Sequence, residues 1–156
     1  MRKELVRRKM IITKMTEEHV ATVAQLERIC FGSAAWSENS VRSELNNDLA
    51  LWLVAESDGK VLGYVGSQTV MDETDMMNVA VDPDFRGQGV AVGLIDRLIR
   101  ELKSIGSKSL TLEVRASNEP AKKLYEKLGF TQAGLRKNYY RNPREDALIL
   151  RKEWEI

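Results

Sequence analysis

The 156-residue chain has a single cysteine, Cys30, and a single histidine, His19. One thiol closes no internal disulfide, and one cysteine with one histidine is too small a set to hold zinc, so neither a disulfide framework nor metal catalysis is expected. A surplus of one charge is missing too: 24 Lys and Arg stand against 23 Asp and Glu, for a net charge of +1. That balance provides no basic stripe to track a phosphate backbone, so direct nucleic-acid binding is not expected. No apolar run approaches the ~18 residues that span a bilayer, and the first residues lack the apolar core of a signal peptide. The expectation is a cytoplasmic protein in a reducing compartment, with no membrane partner. Repeats and long linkers are also absent, which points to a single domain over residues 1–156.

What is present fits a folded globular protein: 43% of residues are apolar and 30% charged. The one basic cluster, Arg2, Lys3, Arg7, Arg8 and Lys9, precedes the first strand signal and reads as a solvated N-terminal extension over residues 1–9. Residues 10–15 form a strand-like run, and Thr16 followed by Glu17 and Glu18 marks a helix start. Val20, Val23, Leu26 and Ile29 repeat at helical spacing until Phe31-Gly32-Ser33 interrupts them. Ser37 caps a short second helix carrying Val41 and Leu45. Strands at 51–56 and 61–70 flank an Asp58-Gly59 hairpin turn, and the polar stretch 72–75 leads to a third strand at 76–81.

From Val90 onward, Leu94, Ile95, Leu98, Ile99, Leu102 and Ile105 share one helical face, with Gly106 as the stop. A strand at 109–114 follows, then a helix punctuated by Asn118, Pro120 and Gly129, then strands near 131–135 and 147–154. The order βααβββαβαββ describes a mixed α/β (α+β) domain.

Between the strand ending at Val81 and the long helix, Gly87 and Gly89 remove side chains where a helix start exposes unpaired amides, an arrangement that attracts phosphate. On spacing alone it is equally a plain connecting turn. A nucleoside-triphosphate loop is excluded because Leu94-Ile95 follow Gly93 where Lys and Ser or Thr are needed. A dinucleotide fingerprint is nearer, with Glu113 in the next strand. However, Gly89 to Gly93 is one residue too long, and too little chain remains for a second nucleotide-binding half.

Four further features stay open on the residues alone. Glu113 alternates away from Leu110, Leu112 and Val114, as a solvated carboxylate would. Tyr125 shares an apolar helical face with Ala121, Leu124 and Leu128, as a core ring would. Trp36, Tyr139 and Tyr140 either cover the core or line a groove for an extended peptide. Cys30 ends an apolar stripe with no base placed beside it, and reads as core.

The segment Arg86-Gly87-Gln88-Gly89-Val90-Ala91 resembles the Gln/Arg-x-x-Gly-x-Gly/Ala pyrophosphate loop of the GNAT acetyltransferase superfamily, and the element order matches that fold. A more specific similarity is to the bacterial ribosomal-protein-alanine N-acetyltransferases. It is carried by Leu112-Glu113-Val114-Arg115-Ala116-Ser117-Asn118, Leu124-Tyr125-Glu126, Leu128-Gly129-Phe130, Asn138-Tyr139-Tyr140 and Glu145-Asp146-Ala147. The resemblance implies a mostly antiparallel sheet of about seven strands flanked by four helices. It also implies acetyl-CoA as cosubstrate, held along Val79-Ala80-Val81 and by the amides of Arg86, Gly87, Gln88, Gly89, Val90 and Ala91, with Asn118 touching it as well. By the same resemblance Glu113 is the base, Tyr125 the acid that protonates the departing thiolate, and the acceptor the N-terminal amine of a ribosomal protein. An α-amine with pKa about 8 needs only a modest base, unlike lysine at about 10.4. With Cys30 in the core, transfer is expected to be direct, in a ternary complex. The alternatives are a lysine or small-amine acetyltransferase, and a non-catalytic module that binds acyl-CoA.

Overall fold

The computed structural model describes residues 10–155, and the basic extension at 1–9 lies outside the described residues. The chain forms β1 (Ile11–Lys14), α1 (Glu17–Phe31), α2 (Glu38–Ser43), β2 (Ala50–Ser57), β3 (Lys60–Val70), β4 (Glu73–Val81) and α3 (Val90–Ser104). It continues with β5 (Ser109–Arg115), α4 (Glu119–Lys127), β6 (Thr131–Tyr140) and β7 (Glu145–Glu153). Short polar side chains cap α2 and α4. Ser37 Oγ accepts from the Ser40 amide at 3.1 Å at the head of α2, and the Asn118 side chain accepts from the Ala121 amide at 3.2 Å at the head of α4. Thr16 precedes α1, and there His19 Nδ1 accepts from the Thr16 amide at 3.0 Å.

The strands make one seven-stranded sheet in the order β1-β2-β3-β4-β5-β7-β6, antiparallel at every step except β4 to β5. Each face has its own core. The stripe of α3, Val90, Leu94, Ile95, Leu98, Ile99 and Leu102, packs with Leu53, Leu62, Val65, Leu110, Leu112 and Tyr125 on one face. Burial of each such side chain contributes roughly 1.5–3 kcal/mol. On the other face Val20, Val23 and Leu26 of α1 and Val41 of α2 cover Trp52, Val54, Tyr64 and Ala80. Two expected members of these stripes turn outward. Ile105 is the residue at which α3 ends, and Ile29 sits in the last turns of α1; both are exposed.

The strand boundaries differ from expectation in the polar segments. The turn before β4 falls at residues 71–72, with Met71 at φ +59°, so β4 begins at Glu73 instead of residue 76. Thr74, read as a turn residue, is buried in the strand, its hydroxyl 2.8 Å from those of both Thr69 and Ser107. Strand β6 continues beyond residue 135 to Tyr140, although most of it is exposed.

One irregularity divides the sheet at its centre. The register of β3 against β4 passes from Gly66↔Asn78 to Ser67↔Met76, leaving Met77 as an extra, bulged residue. A bulge bends its strand and increases its twist. Beyond that point β4 leaves its parallel neighbour: β4 and β5 are in register only at Glu73↔Ser109, Thr74↔Leu110 and Asp75↔Thr111. Residues 76–81 of β4 and 112–115 of β5 then diverge, opening a gap in the middle of the sheet.

Candidate active site

Along the gap, the backbone orientation of β4 is set by its pairing with β3. The Asp82 amide donates to the Leu62 carbonyl at 2.8 Å, so Leu62 and Asp82 form a hydrogen-bonded pair. Bonded and non-bonded pairs alternate in an antiparallel ladder. Tyr64↔Ala80 is therefore bonded, whereas Gly63↔Val81 and Val65↔Val79 are not. The main-chain groups of Val79 and Val81 accordingly face away from β3, toward the edge that β5 has left. The Val81 carbonyl already accepts from Arg86 Nε at 3.3 Å, while Ala80 turns its side chain into the α1 core.

At the end of β4 the chain turns through Asp82, whose side chain accepts from the Asp84 amide at 2.9 Å, and enters the glycine loop. Gly87 has φ +73° and Gly89 φ +86°, both in the left-handed region. Gly89 is the N-cap of the 15-residue α3, and no side chain caps that end. The first intrahelical bond is from the Gly93 amide to the Gly89 carbonyl, at 3.0 Å. The amides before it, through Val90 and Ala91, are the unpaired donors of a helix start. Among the described residues, a Cβ placed on Gly87 meets nothing within 4 Å, so the loop is open on that side. Gln88 Nε2 donates to the Asp84 carbonyl at 3.3 Å, and its Oε1 is buried without a partner among the described residues. Amides without an intrahelical partner at the positive end of a helix dipole suit a diphosphate.

Two titratable side chains flank the gap from opposite faces. Tyr125, in α4, is buried, with its ring edge-on to Phe130 at 5.4 Å. Among the described residues its hydroxyl finds only the thioether sulfur of Met76 in β4, at 3.8 Å. A thioether is a weak acceptor, so the O–H has donor capacity in reserve. Burial raises the hydroxyl well above the usual tyrosine range, which keeps it protonated.

Glu113 lies on the other face of β5, with Thr111 and Arg115, while Leu110, Leu112 and Val114 point into the core. It is partly exposed, pairs with Arg136 Nε at 3.3 Å, and accepts a hydrogen bond from Tyr139. That bond is the main cause of Tyr139's raised pKa. Tyr140 is pushed up to about 12 by burial first and then by the Glu113 charge. Asp75, on β4 at the last residue paired with β5 before the gap opens, is raised by desolvation and by Glu113 and Glu73.

The β6–β7 hairpin that carries Tyr139 and Tyr140 is fastened by a residue two positions after Glu113. Arg115 donates to the Pro143 and Arg141 carbonyls at 3.0 and 3.1 Å, reaches Glu145 at 3.3 Å, and lies 4.5 Å from the Tyr140 ring centre. The other oxygen of Glu145 takes the Ser117 amide at 2.5 Å, and Asp146 takes the Asn138 amide at 2.8 Å. The segments 112–118, 138–140 and 145–147, far apart in the sequence, are thus one bonded unit.

The structure therefore gathers Glu113, Tyr139 and Tyr140 on one side of the gap, and puts Tyr125 at Met76 on the other. Trp36 is tied to the α1-side core: its amide donates to Glu27 at 2.8 Å and its ring meets Trp52 edge-on at 5.3 Å. Asn118 caps α4, as its position predicted. Cys30 packs against the α1-side core, as expected, with its sulfur 3.8 Å from the Val81 carbonyl and 3.5 Å from Arg86 Nη2. Arg136, Asp75 and Met76 gave no sign of themselves in the sequence, because they reach the site only through strand pairing and the bulge.

The Acetyltransferase (GNAT) family model matches residues 20–130. A ribosomal protein bS18-alanine N-acetyltransferase of Escherichia coli is 43% identical over 117 residues, which span 74% of this chain and 78% of that protein. A Haemophilus ducreyi protein of the same description is 42% identical over 121 residues, 74% of this chain and 81% of its own. The crystal structure of an Escherichia coli enzyme so described superposes with a TM-score of 0.86 at 35% identity, covering 94% of this chain and 95% of that one. The chain belongs to the GNAT family of acetyltransferases, and is an acetyl-CoA-dependent N-acetyltransferase.

Proposed function

We propose that the protein transfers the acetyl group of acetyl-CoA to the N-terminal α-amine of an alanine-initiated ribosomal protein, by direct attack in a ternary complex in the cytoplasm. The observation that carries this reading is the gap between β4 and β5, with a carboxylate, Glu113, on one face and a buried hydroxyl, Tyr125, on the other. The identity to bS18-alanine N-acetyltransferases over most of the chain supports the choice of acceptor. No helix among the described residues is long and apolar enough to cross a membrane.

Acetyl-CoA supplies an activated acyl carbon and a thiolate leaving group. The chain positions it and handles two protons. The amides of Gly87, Gln88, Gly89, Val90 and Ala91, beside Arg86, hold the diphosphate, and the edge groups of Val79 and Val81 hold the pantetheine arm. Asn118, at the head of α4, adds a contact to it. Glu113 takes the ammonium proton of the arriving acceptor, directly or through water, freeing the lone pair for attack. Tyr125 gives its proton to the sulfur as the thioester bond breaks, and the second proton shed by the acceptor nitrogen as the amide forms returns Tyr125 to its neutral state. Trp36, Tyr139 and Tyr140 line the acceptor side. The diphosphate role of the loop has a direct test. Alanine at Gly87 must adopt a left-handed conformation costing roughly 1–2 kcal/mol, so Gly87→Ala weakens acetyl-CoA binding by about tenfold in calorimetry, with kcat at saturation little changed.

The acceptor is tested by thiol release from acetyl-CoA with three amines: an alanine-initiated ribosomal peptide, the same peptide with a blocked N-terminus, and free polyamines. Turnover is expected with the first alone. Turnover confined to the blocked peptide or the polyamines makes the protein a lysine or small-amine acetyltransferase. No turnover with any amine, despite acetyl-CoA binding, makes it a binding module.

A further inference from the structure

Glu27, in α1, is 0% exposed, and among the described residues its carboxylate has no cation beside it. Its partners are three neutral donors: the Trp36 amide at 2.8 Å, Asn78 Nδ2 at 2.6 Å and the Tyr64 hydroxyl. Burial raises this carboxyl's pKa in spite of all three. A buried acidic group without a counter-charge is costly, and a well-packed apolar side chain at such a place is often no less stable. Packing alone therefore does not account for Glu27.

What sets the three donors apart is where they come from. Trp36 belongs to the connection between α1 and α2 that lines the acceptor side. Asn78 follows the bulged Met77 and precedes Val79, whose main-chain groups face the gap. Tyr64 lies in the core of β3, under a ladder of rings in which Trp36 meets Trp52 at 5.3 Å and Trp52 stacks on Tyr64 at 5.9 Å. Among the described side chains, Glu27 alone hydrogen-bonds both the acceptor-side connection and the bulged strand.

We infer that Glu27 is a positioning residue for the acceptor, acting through Trp36: it fastens the α1–α2 connection to β4 at the bulge and so sets the width of the acceptor groove against the gap. This rests on the reading of Trp36 as part of that groove. Glu27 itself touches no reacting atom. Its loss acts on acceptor binding and leaves acetyl-CoA binding alone, because neither the glycine loop nor the Val79 and Val81 edge groups depend on its hydrogen bonds.

The test uses the full chain with acetyl-CoA and the alanine-initiated peptide, comparing Glu27→Gln with Tyr64→Phe. Trp36 uses one carboxylate oxygen while Asn78 and Tyr64 share the other, so the single oxygen of the amide cannot keep both the Trp36 and the Asn78 ties as they stand. Glu27→Gln is expected to raise peptide KM by about tenfold, with kcat and the acetyl-CoA Kd within about twofold of wild type. Tyr64→Phe removes only the deep donor and lowers Tm without moving peptide KM. If Glu27→Gln does not fold, Asn78→Ser cuts the same tie from the partly exposed strand side and carries the same KM expectation. An unmoved peptide KM in the folded variant overturns the inference. So does a KM that rises equally in Tyr64→Phe in step with its loss of Tm, which would make Glu27 a stability residue. Wild-type failure to turn over the peptide overturns the acceptor reading instead, and the same KM comparison is then decided on the amine the protein does acetylate.

Discussion

Replacing Glu113 by Gln lowers kcat for the alanine-initiated peptide by about 10²–10⁴-fold, the range associated with loss of a positioned base. Gln keeps the volume and still accepts from Tyr139, so the wall of the groove is preserved. It loses the ability to take a proton, and it loses the charge that pairs with Arg136 at 3.3 Å. Acetyl-CoA affinity stays within about twofold, because the residue belongs neither to the glycine loop nor to the β4 edge. Thiol release at saturating substrates measures the first effect and calorimetry the second. The deficit should narrow as pH rises through about 8, where a growing share of the α-amine arrives already deprotonated. An unchanged kcat removes Glu113 from the reaction and leaves the Arg136 pair as a surface contact.

Glu113 also marks how far the chain could be read without its structure. The parts that came through depend on neighbours in sequence: the stripe of α3, the caps Ser37 and Asn118, the glycine loop, and the alternation that turned Glu113 away from the core. The parts that did not depend on pairing over long range. Nothing local announces that β4 runs parallel to β5 for three residues and then leaves it, since that comes from the bulge at Met77. The polar run 72–75 looked like a turn because Thr74 satisfies its hydroxyl with Thr69 and Ser107, a partner 33 residues away. Arg136 meets Glu113 across the intervening β7, through a β6 register with its own irregularities. Glu27 did leave a signal: it stands seven residues after Val20 and four after Val23, on the same stripe. Its charge made a solvated face seem the natural place, whereas the donors that allow burial come from three other segments.

The second large effect belongs to the opposite face of the gap. Tyr125→Phe is expected to cost about 10²-fold or more in kcat while barely altering stability. The hydroxyl's one hydrogen-bond partner among the described residues is the Met76 sulfur at 3.8 Å, so its removal strands no strong acceptor, and the ring keeps its packing on Phe130. A side chain serving the core alone would show the reverse, a tolerated hydroxyl loss with normal turnover. Burial holds the Tyr125 proton to higher pH than an ordinary tyrosine, which titrates near about 10. Wild-type kcat should therefore show no falling limb as pH approaches that value. The leaving group separates acid catalysis from disturbed geometry. An acetyl thioester of a more acidic thiol departs as a stable thiolate and needs no proton, so the Tyr125→Phe deficit should shrink with such a donor. A deficit equal for both donors would show that the hydroxyl orients the substrate without protonating the sulfur.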